Sequence, residues 1–459
     1  MVGLATVGLI LYLFELGKGA LPDWDAAIYA EVTKEMLRGH HWLTPYWNHH
    51  PFFEKPPLLY WSQMATFQLF GVNEFAARLP SALAGVGTLL LVYAIVRQMA
   101  GKSAAWFAAL VLLSTRYFYH WSREGTTDAL LCFCIYLTVY GYVRMQEGDG
   151  RWFYLLCAGL GLGILAKGPA EFVAPMAIGL DWLIRGRKKL LTLREFWLGV
   201  AVLAVIALPW HVWMVAHYGW GYIKDYLGYQ ILTRAERGIQ GNTGGLLFYF
   251  PVIWKGTLVW SLLGIWALVR WVWKREWEFS LPWLLMGVTL GLYTAVETKL
   301  IWYVVPFYPA LAMEVGRLLA EWNRRWRVIG YAVLVAVVAF MGVAIWRRTR
   351  WPGLTIPNAE KKLALVAKEK ADPGPLIVVG MPYRYPALDI RTALFYSSRD
   401  VVWQQLPEHL KELEAAVKEY RQVDVMMEKS TAQTLGQRYV VQTVAESGDT
   451  LLARVSRKR

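Results

Sequence analysis

Residues 328–346 read VIGYAVLVAVVAFMGVAIW and carry no charge. Hydrocarbon offers a backbone no hydrogen-bonding partner, so an apolar run of this kind crosses a bilayer as a helix of about 20 residues. Ten more runs follow the pattern, at about 1–16, 79–96, 103–116, 128–143, 152–167, 170–184, 196–216, 256–272, 279–297 and 300–319. Residues 1–350 are therefore expected to form a polytopic all-α membrane domain with about eleven transmembrane helices, the short runs 103–116 and 170–184 setting a range of ten to twelve. The first run has neither the basic start nor the small-residue cleavage site of a secretory leader. Only 18% of the 459 residues are charged, and 25 Trp and 25 Tyr supply the aromatic types that favour membrane interfaces. Disordered, collagen-like and disulfide-scaffold classes are excluded, and Cys132, Cys134 and Cys157 sit in apolar runs as small hydrophobes.

Charge placement sets an orientation. The first 350 residues hold 32 basic and 21 acidic side chains. The clusters Arg97/Lys102, Arg185/Arg187/Lys188/Lys189, Arg270/Lys274/Arg275 and Arg324/Arg325/Arg327 fall on one side of an eleven-span chain, which is then cytoplasmic. Segments 17–78, 117–127, 217–255 and everything beyond 347 face the other side. Arg347, Arg348 and Arg350 disagree, because this orientation leaves them outside. No nucleic-acid-binding motif and no phosphate-binding glycine loop occurs.

Residues 351–459 are of different material. Strand-like runs at 376–380, 423–427, 438–444 and 450–456 alternate with an amphipathic run at 407–421, which points to a small α/β domain on the non-cytoplasmic side.

The outer segments carry the polar chemistry. Residues 26–38 are expected to form an interfacial amphipathic helix, with Ile28, Val32 and Met36 on one face and Glu31, Lys34, Glu35 and Arg38 on the other. Asp25 stands at its N-terminus, as a cap or as a carboxylate placed for base or electrostatic work. His40, His41, His49 and His50 match no zinc spacing and read as parts of a polar aromatic loop. The stiff Glu54-Lys55-Pro56-Pro57 places a lysine where a lipid phosphate would meet it. Asp128 opens an apolar run, Lys167 closes another beside Gly168-Pro169, and Arg123, Arg234, Arg237 and Lys299 add outer cations. Positive residues are ordinarily sparse there, so their gathering suggests an anionic ligand near the outer leaflet.

The runs Asp25-x-x-x-Tyr29-Ala30-Glu31, Phe53-Glu54-Lys55-Pro56-Pro57-Leu58 with Tyr60-Trp61, and Gly71-Val72-Asn73-Glu74-Phe75-Ala76-Ala77-Arg78-Leu79-Pro80-Ser81 resemble the integral-membrane GT-C glycosyltransferases. More narrowly, they resemble the bacterial aminoarabinose-transferase and protein-mannosyltransferase-related family. Arg123 with Asp128, Lys167-Gly168-Pro169, Leu208-Pro209-Trp210 and the run from Lys299 to Pro309 are similar to later blocks in the same order. The resemblance implies an inner-membrane enzyme that moves a sugar from a polyprenyl-phosphate carrier to a lipid, glycan or protein acceptor on the outer face, as in lipid A or envelope glycan modification. It implies catalytic roles for Asp25 and Asp128, and donor-phosphate contacts from Lys55, Arg123, Arg234 and Lys299. Tyr29, Tyr60 and Lys167 would line the substrate cavity. In some relatives a divalent metal, Zn or Mg, is held at the positions of Glu54 and His211. The chain departs from the pattern at Ala26, where relatives often carry Glu, and in its shorter tail.

The residue types agree with an inverting displacement. A polyprenyl phosphate is itself a leaving group, cations stabilise the charge it takes away, and a carboxylate can accept the proton of an attacking hydroxyl. The competing reading is a transporter or flippase for an anionic lipid-linked substrate. That reading calls for charges near the midplane or an inverted repeat, whereas these charges gather at outer helix ends.

Overall fold

A computed structural model describes residues 1–21, 25–185, 192–238, 242–350, 359–370, 374–379, 390–404 and 410–458. The chain divides into two compact units. The first comprises Met1–Leu16, Phe53–Thr66 and Arg78–Trp346, and the second Gly17–Phe52, Phe67–Ala77 and Arg347–Arg459.

In chain order the helices up to residue 350 are α1 (Val2–Leu13), α2 (Asp25–Arg38), α3 (Leu58–Phe70), α4 (Glu74–Leu113), α5 (Arg116–Trp121), α6 (Thr127–Met145), α7 (Trp152–Lys167), α8 (Val173–Ile184), α9 (Leu193–Ile223), α10 (Arg234–Glu236), α11 (Tyr249–Thr257), α12 (Val259–Lys274), α13 (Ser280–Ala295), α14 (Phe307–Arg325) and α15 (Val328–Arg350). Helix α4 has 40 residues, and run straight it would be about 60 Å long, twice the hydrocarbon thickness. Gly101, at φ +86°, breaks it. Gly168, at φ +63°, likewise separates α7 from the turn that leads into α8. Helices α11 and α12 meet at Leu258 with a bend of 112°. The run expected as a helix at 300–319 starts instead at Phe307, after a series of turns. Among the described residues four helical stretches are long and apolar enough to cross a membrane, or five if the bent pair is one span. The protein is thus a membrane protein, but helix length alone does not yield eleven crossings.

The helices approach closely where side chains are smallest. A Cβ on Gly141 would lie 2.6 Å from the backbone nitrogen of Leu156, and one on Gly159 would lie 2.8 Å from that of Thr138, so α6 and α7 pack backbone to backbone. Buried polar ties hold other helices. Asp181 on α8 accepts from Arg185 at 2.9 Å, from Tyr142 on α6 at 2.8 Å and from Ser280 on α13 at 2.5 Å. Arg317 on α14 bonds Glu314 at 2.8 Å and Glu276 at 2.5 Å, and Arg270 on α12 bonds Glu276 at 3.0 Å. Burial alone would raise the Glu276 carboxyl, but these two guanidinium groups hold it below the usual carboxylate range.

The second unit is built on a five-stranded mixed sheet. Two short strands, β1 (Tyr46–Trp47) and β2 (His50–Pro51), pair separately as a hairpin. The main sheet contains β3 (Leu376–Val379), β4 (Val401–Gln404), β5 (Gln422–Glu428), β6 (Tyr439–Ser447) and β7 (Thr450–Arg457), in the order β4-β3-β5-β7-β6. Strands β4, β3 and β5 are parallel, and β7 and β6 add antiparallel, with Leu376 opposite Val401 and Asp424. Helices α16 (Ala359–Glu369), α17 (Ile390–Ser397), α18 (Lys411–Tyr420) and α19 (Lys429–Leu435) complete it. The four expected strands are present and β4 is additional. The part of the expected helix at 407–421 that precedes residue 410 lies outside the described residues.

Residues of the segment after α1 enter the core of this unit. Leu21, Ala27 and Ala30 pack with Leu394, Phe395, Met426 and Leu452. The expectation that the charged face of α2 lies open at a membrane interface is corrected here. Glu31 and Lys34 are only 4% and 2% exposed. They are buried because their charges meet each other, and because the Lys34 ammonium donates to the carbonyls of Leu394 at 3.1 Å and Phe395 at 2.8 Å. Burial pushes the Glu31 carboxyl up to about 7 against the pull of Lys34, and it lowers the Lys34 ammonium.

Candidate functional site

Asp128 lies in the first turn of α6, and Lys167 is the last residue of α7. Their side chains meet at 2.5 Å, buried. The Lys167 ammonium also stands 5.2 Å from the centre of the Tyr303 ring, which lies 4.8 Å from that of Tyr293. Gly168 is required beside this pair for two reasons: its φ is positive, and the hydroxyl of Tyr226 occupies the space a Cβ would need. The sequence suggested separate roles for Asp128 and Lys167; the structure makes them one ion pair.

A second acid stands in the same bundle. Glu171, in the turn Gly168–Phe172, is fully buried and accepts from the Thr138 hydroxyl at 3.2 Å. Gly163 makes room for its carboxylate. Sequence reasoning passed over it; the available signal was an acid shortly after a Gly-Pro break inside an otherwise apolar run.

Two cations expected to face a phosphate are engaged elsewhere. Arg123 donates to the carbonyls of Leu11 at 2.7 Å and Phe14 at 2.5 Å and to the Tyr119 hydroxyl at 2.5 Å, closing the C-terminus of α1. The Lys299 ammonium donates to the carbonyls of Tyr293 at 3.2 Å, Thr294 at 2.6 Å and Val296, the open end of α13. Helix C-termini leave carbonyls without intrahelical donors, and in an apolar surround a buried cation is an effective cap. Arg78, which the sequence placed only in a family block, does the same for Leu16 at 3.0 Å.

Lys55 is half-buried and donates to the Glu54 carbonyl at 3.3 Å. Its neighbour Phe53 packs on Tyr218 and Tyr222 with ring centres 5.0 and 5.6 Å apart, and Tyr222 stacks on Tyr226 at 5.3 Å. Leu165, Trp210 and Met214 extend this cluster, so Lys55 follows directly on an aromatic wall. Tyr60 is buried on α3, and Arg234 is half-buried at the start of α10 with its carbonyl accepting from the Thr298 amide at 3.2 Å. Asp25, the first residue of α2, is half-buried, and Tyr29 is buried; both belong to the second unit, whereas the other candidate residues belong to the first.

Glu54 and His211 do not form a metal centre with any third ligand. His211 Nδ1 is 2.8 Å from the carbonyl of Ala207 on its own helix, and no group of three His, Cys, Asp or Glu able to hold an ion occurs among the described residues. The described residues do not fit the metal implied by the resemblance.

Residues 54–213 match the family described as dolichyl-phosphate-mannose-protein mannosyltransferase. That stretch holds Lys55, Tyr60, Arg123, Asp128 and Lys167, and excludes Asp25. The undecaprenyl phosphate-alpha-4-amino-4-deoxy-L-arabinose arabinosyl transferase of Shewanella sediminis is 25% identical over 356 residues, which are 73% of this chain and 63% of that one. An uncharacterized protein of Aquifex aeolicus is 29% identical over 315 residues, 66% of this chain and 61% of that one. The crystal structure of ArnT from Cupriavidus metallidurans bound to undecaprenyl phosphate superposes with a TM-score of 0.81 at 19% identity, covering 99% of this chain and 97% of the other. The chain is thus similar in sequence to these transferases and shares the fold of ArnT. It spans less than two thirds of the length of the Shewanella and Aquifex relatives. The family-matched stretch is the one that carries the Asp128–Lys167 pair and Lys55.

The buried pair yields a direct test. Lys167→Met leaves the Asp128 carboxylate buried without its cation and should destabilise the protein by about 3–5 kcal/mol. The double variant Lys167→Met/Asp128→Asn, which removes both charges, should regain most of that loss. Thermal unfolding in detergent checks both, and equal instability of the two variants contradicts the pairing.

Proposed function

We propose that this chain is a glycosyltransferase that moves a sugar from a polyprenyl-phosphate carrier to a hydroxyl-bearing acceptor at the outer face of the bacterial inner membrane. The observation that carries the reading is the alignment with the Shewanella arabinosyl transferase over 73% of the chain. The likeness of fold to ArnT supports it. The donor is a polyprenyl phosphate-linked pentose or hexose, and the acceptor is a lipid, a glycan or a protein.

In the proposed reaction the acceptor oxygen attacks the anomeric carbon, and the bond from that carbon to the phosphate oxygen breaks. The polyprenyl phosphate leaves with the electron pair, and the configuration inverts. Lys55 meets the phosphate, assisted by Arg234, and stabilises its growing charge where little water screens it. Arg123 and Lys299 drop out of the phosphate set, because the ends of α1 and α13 use their donors. Asp25 accepts the acceptor's proton or orients its hydroxyl. Asp128, neutralised by Lys167, acts in the cavity as a fixed dipole rather than as a second base.

The proposed topology has eleven crossings: α1, the two parts of α4, α6, α7, α8, α9, the bent pair α11–α12, α13, α14 and α15. Segments 17–52 and 67–77 share one core with the tail, so they and the tail lie on one side of a membrane. The intervening stretch 78–346 therefore crosses an even number of times, and with α1 the total is odd. This parity favours eleven over ten or twelve. With the four basic clusters taken as cytoplasmic, the proposed orientation puts the tail outside in spite of Arg347, Arg348 and Arg350.

Two outcomes test these proposals. Gln442→Cys, exposed on β6, in a chain whose own cysteines are replaced by alanine should react with an impermeant maleimide on intact cells. Labelling only after permeabilisation reverses the orientation. Asp25→Asn keeps the capping ability of Asp. It should nevertheless lower kcat by about 10²–10⁴ with donor KM and thermal stability unchanged. Turnover at the parental rate makes Asp25 a helix cap and no more.

A further inference from the structure

The helix that begins with Asp25 is held by the tail through a buried lysine. Nine residues along α2, Lys34 is 2% exposed, and its three ammonium donors are matched by three acceptors. Those are the Glu31 carboxylate, the Leu394 carbonyl at 3.1 Å and the Phe395 carbonyl at 2.8 Å. The two carbonyls lie in the last turn of α17 (Ile390–Ser397), where helical geometry leaves carbonyls short of intrahelical donors; that of Leu394 also accepts the Ser398 amide at 3.3 Å. The Phe395 ring lies 5.2 Å below the same ammonium.

Further contacts register α2 against the tail. The Glu35 carboxylate accepts from the amides of Asn48 at 2.6 Å and His49 at 2.9 Å, and Asn48 donates its side-chain amide to the Val401 carbonyl at 3.1 Å. Ahead of the helix, the Leu21 amide donates to the Tyr396 hydroxyl at 2.9 Å. A buried lysine is costly to desolvate and cheaper to replace by a leucine or methionine if stability alone is at stake. Bonds to two carbonyls and a carboxylate fix direction and distance in a way that apolar packing does not.

We propose that Lys34 is a positioning residue: it clasps α2 to the last turn of α17, so that the tail domain sets the register of the helix presenting Asp25. The tail then acts in catalysis without touching substrate. Its sheet supports α17, α17 supplies the two carbonyls, and α2 transmits their position to its first residue. The inference rests on the reading of Asp25 as the catalytic carboxylate. A displacement near 1 Å at a reacting group is enough to cost about a hundredfold in rate.

The test uses the full chain in detergent micelles, a synthetic undecaprenyl-phosphate-linked sugar and envelope glycolipid as acceptor. The pair variant Lys34→Met/Glu31→Gln removes the clasp without leaving a lone buried charge. It should keep the parental melting temperature and donor KM, while kcat falls about 10- to 100-fold. A kcat within about twofold of the parent in the folded variant overturns the proposal, because a merely structural lysine has no reason to move kcat alone. If that pair does not fold, Lys34→Gln/Glu31→Gln, which keeps a donor toward one carbonyl, takes its place under the same criteria. Asp25→Asn is measured in parallel. Parental turnover there defeats the catalytic reading and this inference with it, whereas a loss there with no loss in the pair variant defeats the clasp alone.

Discussion

A charge or an open helix end inside an apolar bundle must find a partner in the protein, because neither lipid nor water supplies one at low cost. That constraint organises the first unit. Arg123 and Lys299 close the C-termini of α1 and α13, and Arg78 satisfies the Leu16 carbonyl. Asp128 is neutralised by Lys167 and Asp181 by Arg185. The Arg123 and Asp128–Lys167 ties join segments distant in sequence, so polar residues that look like ligand contacts also order the bundle.

The second unit follows a different logic. Its sheet is formed by the tail, yet Leu21, Ala27 and Ala30 from the segment after α1 complete its core. A tail that buries part of an early loop cannot be separated from that loop by a bilayer, which turns an observation about packing into one about topology. The same sharing gives the tail a reason to exist in a chain whose family-matched stretch, 54–213, ends well before it.

Much of this was legible in the sequence, and the parts that were not share a cause. Most of each apolar run is helical, because hydrophobicity at that length is a local property, although the run at 300–319 starts its helix only at Phe307. The strands at 376–379, 422–428, 439–447 and 450–457 show in their β-branched and alternating patterns. The blocks around Asp25 and Lys55 were readable as a family resemblance. Pairings across long separations were not. Nothing local tells Lys34 that its carbonyls lie 360 residues on, or Arg123 that its guanidinium meets carbonyls at the end of α1. The polar face of α2 has the same amphipathic pattern whether it meets a lipid surface or a protein core, so its burial could be read only from the fold. The broken geometry at Gly101 and Leu258 was hidden for a related reason: a glycine or a leucine in an apolar run is compatible with a straight helix, and packing decides that it bends.

The account stands or falls on whether a sugar moves from a polyprenyl phosphate with inversion. The most direct measurement is the product itself: purified protein, an undecaprenyl-phosphate-linked sugar of known anomeric configuration, and envelope glycolipid, with the released polyprenyl phosphate quantified by mass spectrometry and the new glycosidic bond read by NMR. The account predicts acceptor-dependent release of one polyprenyl phosphate per sugar transferred and an inverted anomeric centre. A retained configuration, or donor consumption that proceeds equally without acceptor, contradicts it.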